Sequence, residues 1–398
     1  MRLTRQIGSL GTANLIYLLC QLGVLSLLTQ LSDLETVAAF GFIMAVVQPL
    51  YMLLRMGLRA NLATDAKREF NFSTFLTIRV VSAIVLFVAP LLVIALVRPE
   101  YLVLAVPIAL MNATESLSDL CYGGLQRAGL VQLVARSMLL RGPAALLLFG
   151  ITLYVTRDAQ IAFWAQTAVW VSIQLLHDFP GVRRSGETIA LDRDWGRIVA
   201  LLRNTAFLGL GQFFAALQTS LPRFFVEAML GTTAMAFFTA VSVLQRATIS
   251  LFNTLEQAIG WRLSQIWASG NRDRFFSMLR KMLAVAVGLG ILGMGLAWAI
   301  GEPFLALFFG PEYAAAYGLL MWIAAAISMR LISSVVQTAL TAQRRFGSFG
   351  TVQTIALIVT VPFTYLGIQL YGLEGAGMAI LATVTLRTAV FTYFLLRD

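Results

Sequence analysis

Residues 231–255, GTTAMAFFTAVSVLQRATISLFNTL, are long enough to cross a bilayer as one helix, because about 20 apolar residues rising about 1.5 Å each span the hydrocarbon. The run is apolar or small from Gly231 to Leu244, carries Gln245 and Arg246, and then turns apolar again. Arg246 therefore lies at membrane depth, where an arginine costs about 2.5 to 3.5 kcal/mol on insertion scales unless it meets water, protein or an anion. Ser242 and Ser250 lie four residues before and after it, on the same helix face. Such a face is expected to look into a cavity where negative charge is handled.

Composition extends this reading to the whole chain. Of 398 residues, 59% are hydrophobic and 12% charged, about half the charged share of soluble domains. The fold class is all-α and polytopic, with about twelve transmembrane helices and no room for a sizeable soluble domain. Spans are expected at 9–31, 36–57, 74–97, 101–124, 131–155, 159–180, 199–223, 231–255, 276–300, 313–340, 347–371 and 375–396. The apolar run after Arg5 lacks a small-residue cleavage site, so it is expected to stay as the first helix.

A net charge of +10 raises the question of nucleic acid, but the positions of the charges favour membrane topology. Arg2 and Arg5, Arg59 with Lys67 and Arg68, Arg127, Arg183 with Arg184, Arg193 and Arg197, the group from Arg262 to Lys281, Arg344 with Arg345, and Arg397 fall on one side. The other side holds Asp33, Glu35, Glu100, Asp158, Glu302, Glu312 and Glu374, with few cations among them. This asymmetry puts both termini in the cytoplasm. Lys67 and Lys281 are the lysines, and every other basic residue but His177 is an arginine, a bias that high genomic GC content explains and that forked recognition of phosphate would also explain. His177 is the single histidine, which excludes a multi-histidine metal centre, and Cys20 with Cys121 are too few for a disulfide framework.

The longest loop is expected near 181–198, GVRRSGETIALDRDWGRI, where a short amphipathic surface helix would fit. It divides the chain into lobes at 1–180 and 199–398. Gln21 and Gln48 have the same separation as Gln218 and Gln245, and Ala39-Phe40 matches Ala236-Phe237 in that register, which favours two halves of like orientation.

Charges inside the spans are the candidate site residues. Glu115 and Asp119 share a face of span four, and span five returns with Arg136 and Arg141. Depths along the hairpin match Asp119 to Arg136 at about 12 and 13 Å and Glu115 to Arg141 at about 18 and 21 Å, which fits two buried ion pairs. The same carboxylates fit a second role, exchange of a coupling proton or sodium ion. Arg246, Arg330 and Arg387 have no acid nearby in sequence and lie at middle to inner depth, so with Gln245 they form the candidate cationic cavity. Snorkelling to the interface is the alternative for each of them. Arg223 with Glu227 is expected to be a surface salt bridge, and Arg55, Arg59 and Arg79 to be interfacial anchors, with a place at the cavity mouth as the alternative for Arg59.

These segments resemble a known family. A loop running from Gly57-Leu58-Arg59 through Asp65 to Phe75-Leu76-Thr77-Ile78-Arg79, the Gln126-Arg127 turn, and the glycines from Gly372 to Gly377 look like those of polysaccharide-export flippases, the Wzx-type members of the multidrug/oligosaccharidyl-lipid/polysaccharide superfamily. The resemblance implies two six-helix bundles around a central cavity, and translocation of undecaprenyl-diphosphate-linked oligosaccharide across the bacterial inner membrane by alternating access. It implies no cofactor and no nucleic acid, with membrane lipids and other polysaccharide-assembly proteins as partners. A multidrug exporter of the same superfamily is the nearest alternative, although span one is uncharged and a cationic cavity repels cationic drugs. A membrane polymerase or glycosyltransferase would need a large or carboxylate-rich outer loop, and the outer loops here are short.

Overall fold

The computed structural model describes residues 2–65, 68–343 and 346–396. Side chains at 2–8, 246–247, 249–259, 261 and 346–351 are outside the description, as are Lys67, Arg344, Arg345 and Arg397 among the loop charges. Most of the described residues are helical, with no strand among them.

Helices α1 (Arg2–Leu31) and α2 (Leu34–Arg55) are separated by Asp33, whose carboxylate accepts from the Thr36 amide at 2.8 Å and caps α2. Met56 and Gly57 both turn into the left-handed region, which ends α2 and starts the short α3 (Leu58–Thr64). Then come α4 (Phe72–Val97), α5 (Leu102–Arg127) and α6 (Val131–Thr156). Asp158 caps α7 (Ala159–Ile173), which continues through a π-turn at Gln174–Asp178 into α8 (Phe179–Arg184).

The second half holds α9 (Trp195–Ala268), α10 (Arg272–Phe309), α11 (Tyr317–Ala342) and α12 (Phe346–Leu396). Two glycines break the longest of these. Gly231 has φ 81° and ψ −172°, and Gly372 has φ 58° and ψ −136°, conformations that a side chain would oppose, so α9 and α12 each consist of two arms. Among the described residues, nine stretches are long and apolar enough to cross a membrane, two of them contain these breaks, and residues 159–184 form one more continuous helical run of similar length. The count of twelve follows, and both breaks fall where the apolar runs place them.

Packing divides the chain into Met1–Leu217 and Gln218–Asp398. The division falls inside α9, because the beginning of that helix belongs to the first core. Ile198 and Leu201 are buried with Leu58, Leu62, Phe72, Phe75 and Tyr122. A Cβ at Gly209 would come within 2.5 Å of the Leu53 carbonyl, so the helix backbones nearly touch there. In the second unit, Gly290 lies against Ser328, whose hydroxyl donates to the Gly290 carbonyl at 3.1 Å, fixing α10 on α11.

Residues 185–194 form no helix, contrary to the expected amphipathic segment. They run as an irregular strap because the first unit takes up their polar groups. Ser73 donates to the Thr188 carbonyl at 3.0 Å, Thr74 donates to the Asp192 carboxylate at 2.5 Å, and the Asp192 amide donates to the Thr77 hydroxyl at 2.8 Å. Arg127 completes the fastening through Glu187 at 2.9 Å.

Candidate functional site

Two sets of charges lie inside the units, and they differ in how well each is neutralised. In the first unit, Asp119 of α5 is the centre. Arg55 from α2 reaches it with two hydrogen bonds of 3.0 and 3.2 Å, Arg59 from α3 at 3.2 Å, and Arg79 from α4 at 3.7 Å. Arg79 also donates to the Arg55 carbonyl at 3.2 Å and is fully buried. Interfacial anchoring is therefore corrected for the buried Arg79, while Arg55 and Arg59, with side chains 33% and 22% exposed, are tied to Asp119. Their helices converge on a carboxylate that burial would otherwise make costly.

The same convergence corrects the pairing of Asp119 with Arg136. Depth along one hairpin compares sequence neighbours only, and Arg136 points outward, exposed, on the far side of α6. Arg141 does turn inward, but its ion partner is Asp178 at 2.9 Å, supported by a 2.6 Å bond to Ser118. The Trp170 ring lies 5.1 Å from its guanidinium. Asp178 faces inward because the π-turn at Gln174–Asp178 shifts the helix face, and the Nδ1 atom of His177 lies 3.2 Å from the other carboxylate oxygen. Glu115 interacts with Arg141 electrostatically and with the hydroxyl of Tyr17 on α1. It is the carboxylate of this cluster without a guanidinium at ion-pair distance among the described residues.

Two of the segments that carry the family resemblance, the one from Gly57 to Arg79 and the Gln126-Arg127 turn, meet at this cluster. Arg59 donates to Gln126 at 3.3 Å, Arg127 lies 3.6 Å from Asp65, and Arg127 donates to the Phe70 carbonyl at 3.2 Å. Residues read as loop signatures are thus contacts between α3, α5 and the segment before α4.

The second unit is organised differently. Arg387, on the second arm of α12, is 5% exposed and makes no hydrogen bond or ion pair among the described residues, with its Nε buried and unmatched. Arg330 of α11 is close enough to repel it electrostatically. Two of the three candidate cavity arginines therefore lie within electrostatic range of one another. Gln245 is buried on the second arm of α9, while the side chain of Arg246 lies outside the described residues. Arg223 and Glu227, expected at the surface, are 6% and 4% exposed. Pro222 leaves α9 unbroken there, and Arg223 faces inward to donate to Ser242 at 3.0 Å.

The chemistry of Arg387 follows from its surroundings. A guanidinium withdrawn from water beside a second guanidinium is unfavourable by itself, and an anion that accepts forked hydrogen bonds reverses the sign of the interaction. Outside the membrane, the Thr74 hydroxyl, followed by the Asp194 amide, holds the Asp192 carboxyl below its ordinary value. That carboxylate fastens the strap and stands apart from the arginine site.

No protein-family model matches the sequence. Along 390 residues, 96% of this chain and 96% of the relative, it is 21% identical to the capsular polysaccharide biosynthesis protein CapF of Staphylococcus aureus. Among solved structures it is similar to an inward-facing multidrug resistance MATE family transporter of the MOP superfamily, with TM-score 0.79 and 14% identity over 95% of this chain and 93% of that one. It is also similar to the Vibrio cholerae MATE transporter VcmN, with TM-score 0.65 and 15% identity over 100% and 98%. A third is a MOP superfamily transporter from Pyrococcus furiosus, for which reversed polarity of the binding pocket suggests a different function, with TM-score 0.64 and 14% identity over 98% and 94%. The chain has the fold of the MOP-superfamily membrane transporters.

Proposed function

We propose that the protein flips a polyprenyl-diphosphate-linked oligosaccharide across the bacterial cytoplasmic membrane, with both termini on the cytoplasmic side. The observation that carries this reading is Arg387, buried beside Arg330 without a carboxylate partner among the described residues. A diphosphate supplies two anionic centres with oxygens spaced for guanidinium forks. The polyprenyl tail remains in lipid, and the site is exposed to the two membrane faces in turn. The similarity to CapF along nearly the full length supports a saccharide-linked cargo.

A ligand that binds both states equally moves neither, so a coupling cation or the cargo must favour one of them. In this reading Glu115 takes the exchangeable cation, a proton or sodium ion, because Asp119 is already held by three guanidiniums. The test is a head-group protection assay with labelled polyprenyl-diphosphate oligosaccharide in proteoliposomes. Wild type should flip it, Arg387→Ala should lose activity at least about tenfold, and Arg387→Lys should recover part of the loss. Normal flipping by Arg387→Ala would remove the site; efflux of cationic drugs by wild type without flipping would replace the cargo.

A further inference from the structure

The end of α9 and the start of α10 enclose a pocket of about 470 Å³, lined by these two helices and separate from the arginines of α11 and α12. Arg262, Arg274 and Lys281 converge on it, and its lining contains no carboxylate. None of the three makes an ion pair among the described residues, whereas Arg68 and Arg127 pair with Glu187 and Arg197 pairs with Asp194. Among the described residues, no carboxylate therefore pairs with the pocket's charge. It does not rest on the helix terminus, because the Asn271 side chain already accepts from the Arg274 amide at 3.0 Å.

The other lining groups narrow the ligand. Gln265 and Ser277 offer neutral hydrogen bonds, and Ile266 with Met278 form an apolar wall beside the cations. From Lys281 the same face of α10 continues through Val285, Leu289, Leu292 and Leu296, all exposed large hydrophobics. A cationic pocket at the head of an uncovered apolar stripe matches a molecule with an anionic head and hydrocarbon chains.

We propose that this pocket binds the phosphate of an anionic glycerophospholipid, whose acyl chains lie along the stripe from Val285 to Leu296. Free phosphate shares the head-group chemistry but leaves the stripe unused. Phosphatidylethanolamine shares the chains and the phosphate but carries its own ammonium, which the three cations repel.

Native mass spectrometry of the delipidated full-length protein in detergent tests the assignment, with phosphatidylglycerol, phosphatidylethanolamine, glycerol phosphate and inorganic phosphate as probes. Phosphatidylglycerol should be retained well beyond the other three. R262Q/R274Q/K281Q should lower its retention by about 100-fold, since each cation near anionic lipid contributes a factor of about five and the three multiply. R262K/R274K should keep it. The single variant Lys281→Gln, at an exposed position, should weaken retention several-fold and serves if the triple variant does not fold. Equal retention of phosphatidylethanolamine, equal retention of inorganic phosphate, or an unchanged triple variant would each overturn the proposal.

Discussion

Arg141 and Asp178 meet at 2.9 Å with their side chains 2% and 0% exposed, across 37 residues of sequence. Ser118 holds the same guanidinium nitrogen at 2.6 Å, so α5, α6 and the π-turn after α7 are tied at one point. Removing one side of such a pair leaves the other charge stranded. Asp178→Ala should destabilise the protein by about 3 to 5 kcal/mol, read as a fall in the thermal midpoint in detergent. The apolar double variant R141M/D178L should recover most of the loss, and no change in Asp178→Ala would show that the pair carries no weight.

Glu115 and Asp119 are one helical turn apart and should respond differently. Asp119→Ala leaves Arg55, Arg59 and Arg79 repelling one another, and should cost at least about 3 kcal/mol and much of the folded yield. Glu115→Gln should fold normally and lose the dependence of transport on an imposed ion gradient. Gradient-dependent transport by Glu115→Gln at wild-type rate would remove the exchange role.

Arg387 is a stability liability as well as a proposed ligand. In protein purified without cargo, Arg387→Met should raise unfolding free energy by up to about 2.5 to 3.5 kcal/mol, the size of the insertion penalty, while transport is lost. A fall in stability would mean that the guanidinium is satisfied within the protein.

The strap gives a pH dependence with a definite sign. Asp192 has a depressed carboxyl in the folded protein, so its contribution is fully present above the ordinary carboxylate value of about 4 and is lost as pH falls through the lower folded value. Hydrogen exchange over 187–194 should therefore be slow at pH 7 and accelerate only under strongly acidic conditions. Thr74→Val, which removes the principal cause of the depression, should speed exchange already at pH 7.

The sequence told more about where helices begin and end than about which charges meet. Gly231 and Gly372 punctuate long apolar runs, and the backbone breaks at both. Buried Glu115 and Asp119 were legible as costly charges in an apolar helix. The partners of Asp119 were not, because Arg55, Arg59 and Arg79 come from three other helices and each also fits an interfacial position. Asp178 was hidden by the π-turn, which moves it off the face that a regular helical period assigns. Arg330 and Arg387 were recognisable by depth alone, and their proximity depends on how α11 packs on the second arm of α12. In sequence, Arg262, Arg274 and Lys281 signal topology alone, because their convergence depends on how α9 and α10 pack.

Ile198 and Leu201 have a consequence for biosynthesis. They fill the cluster around Leu58, Phe72 and Tyr122, although they follow the strap in the chain. A ribosome that has released only the first six crossings has therefore made a bundle whose interior is still unsealed, and closure waits for the seventh to enter the bilayer. Chains truncated before Trp195 should remain substrates for membrane quality-control proteases, whereas those extended through Leu217 should escape them.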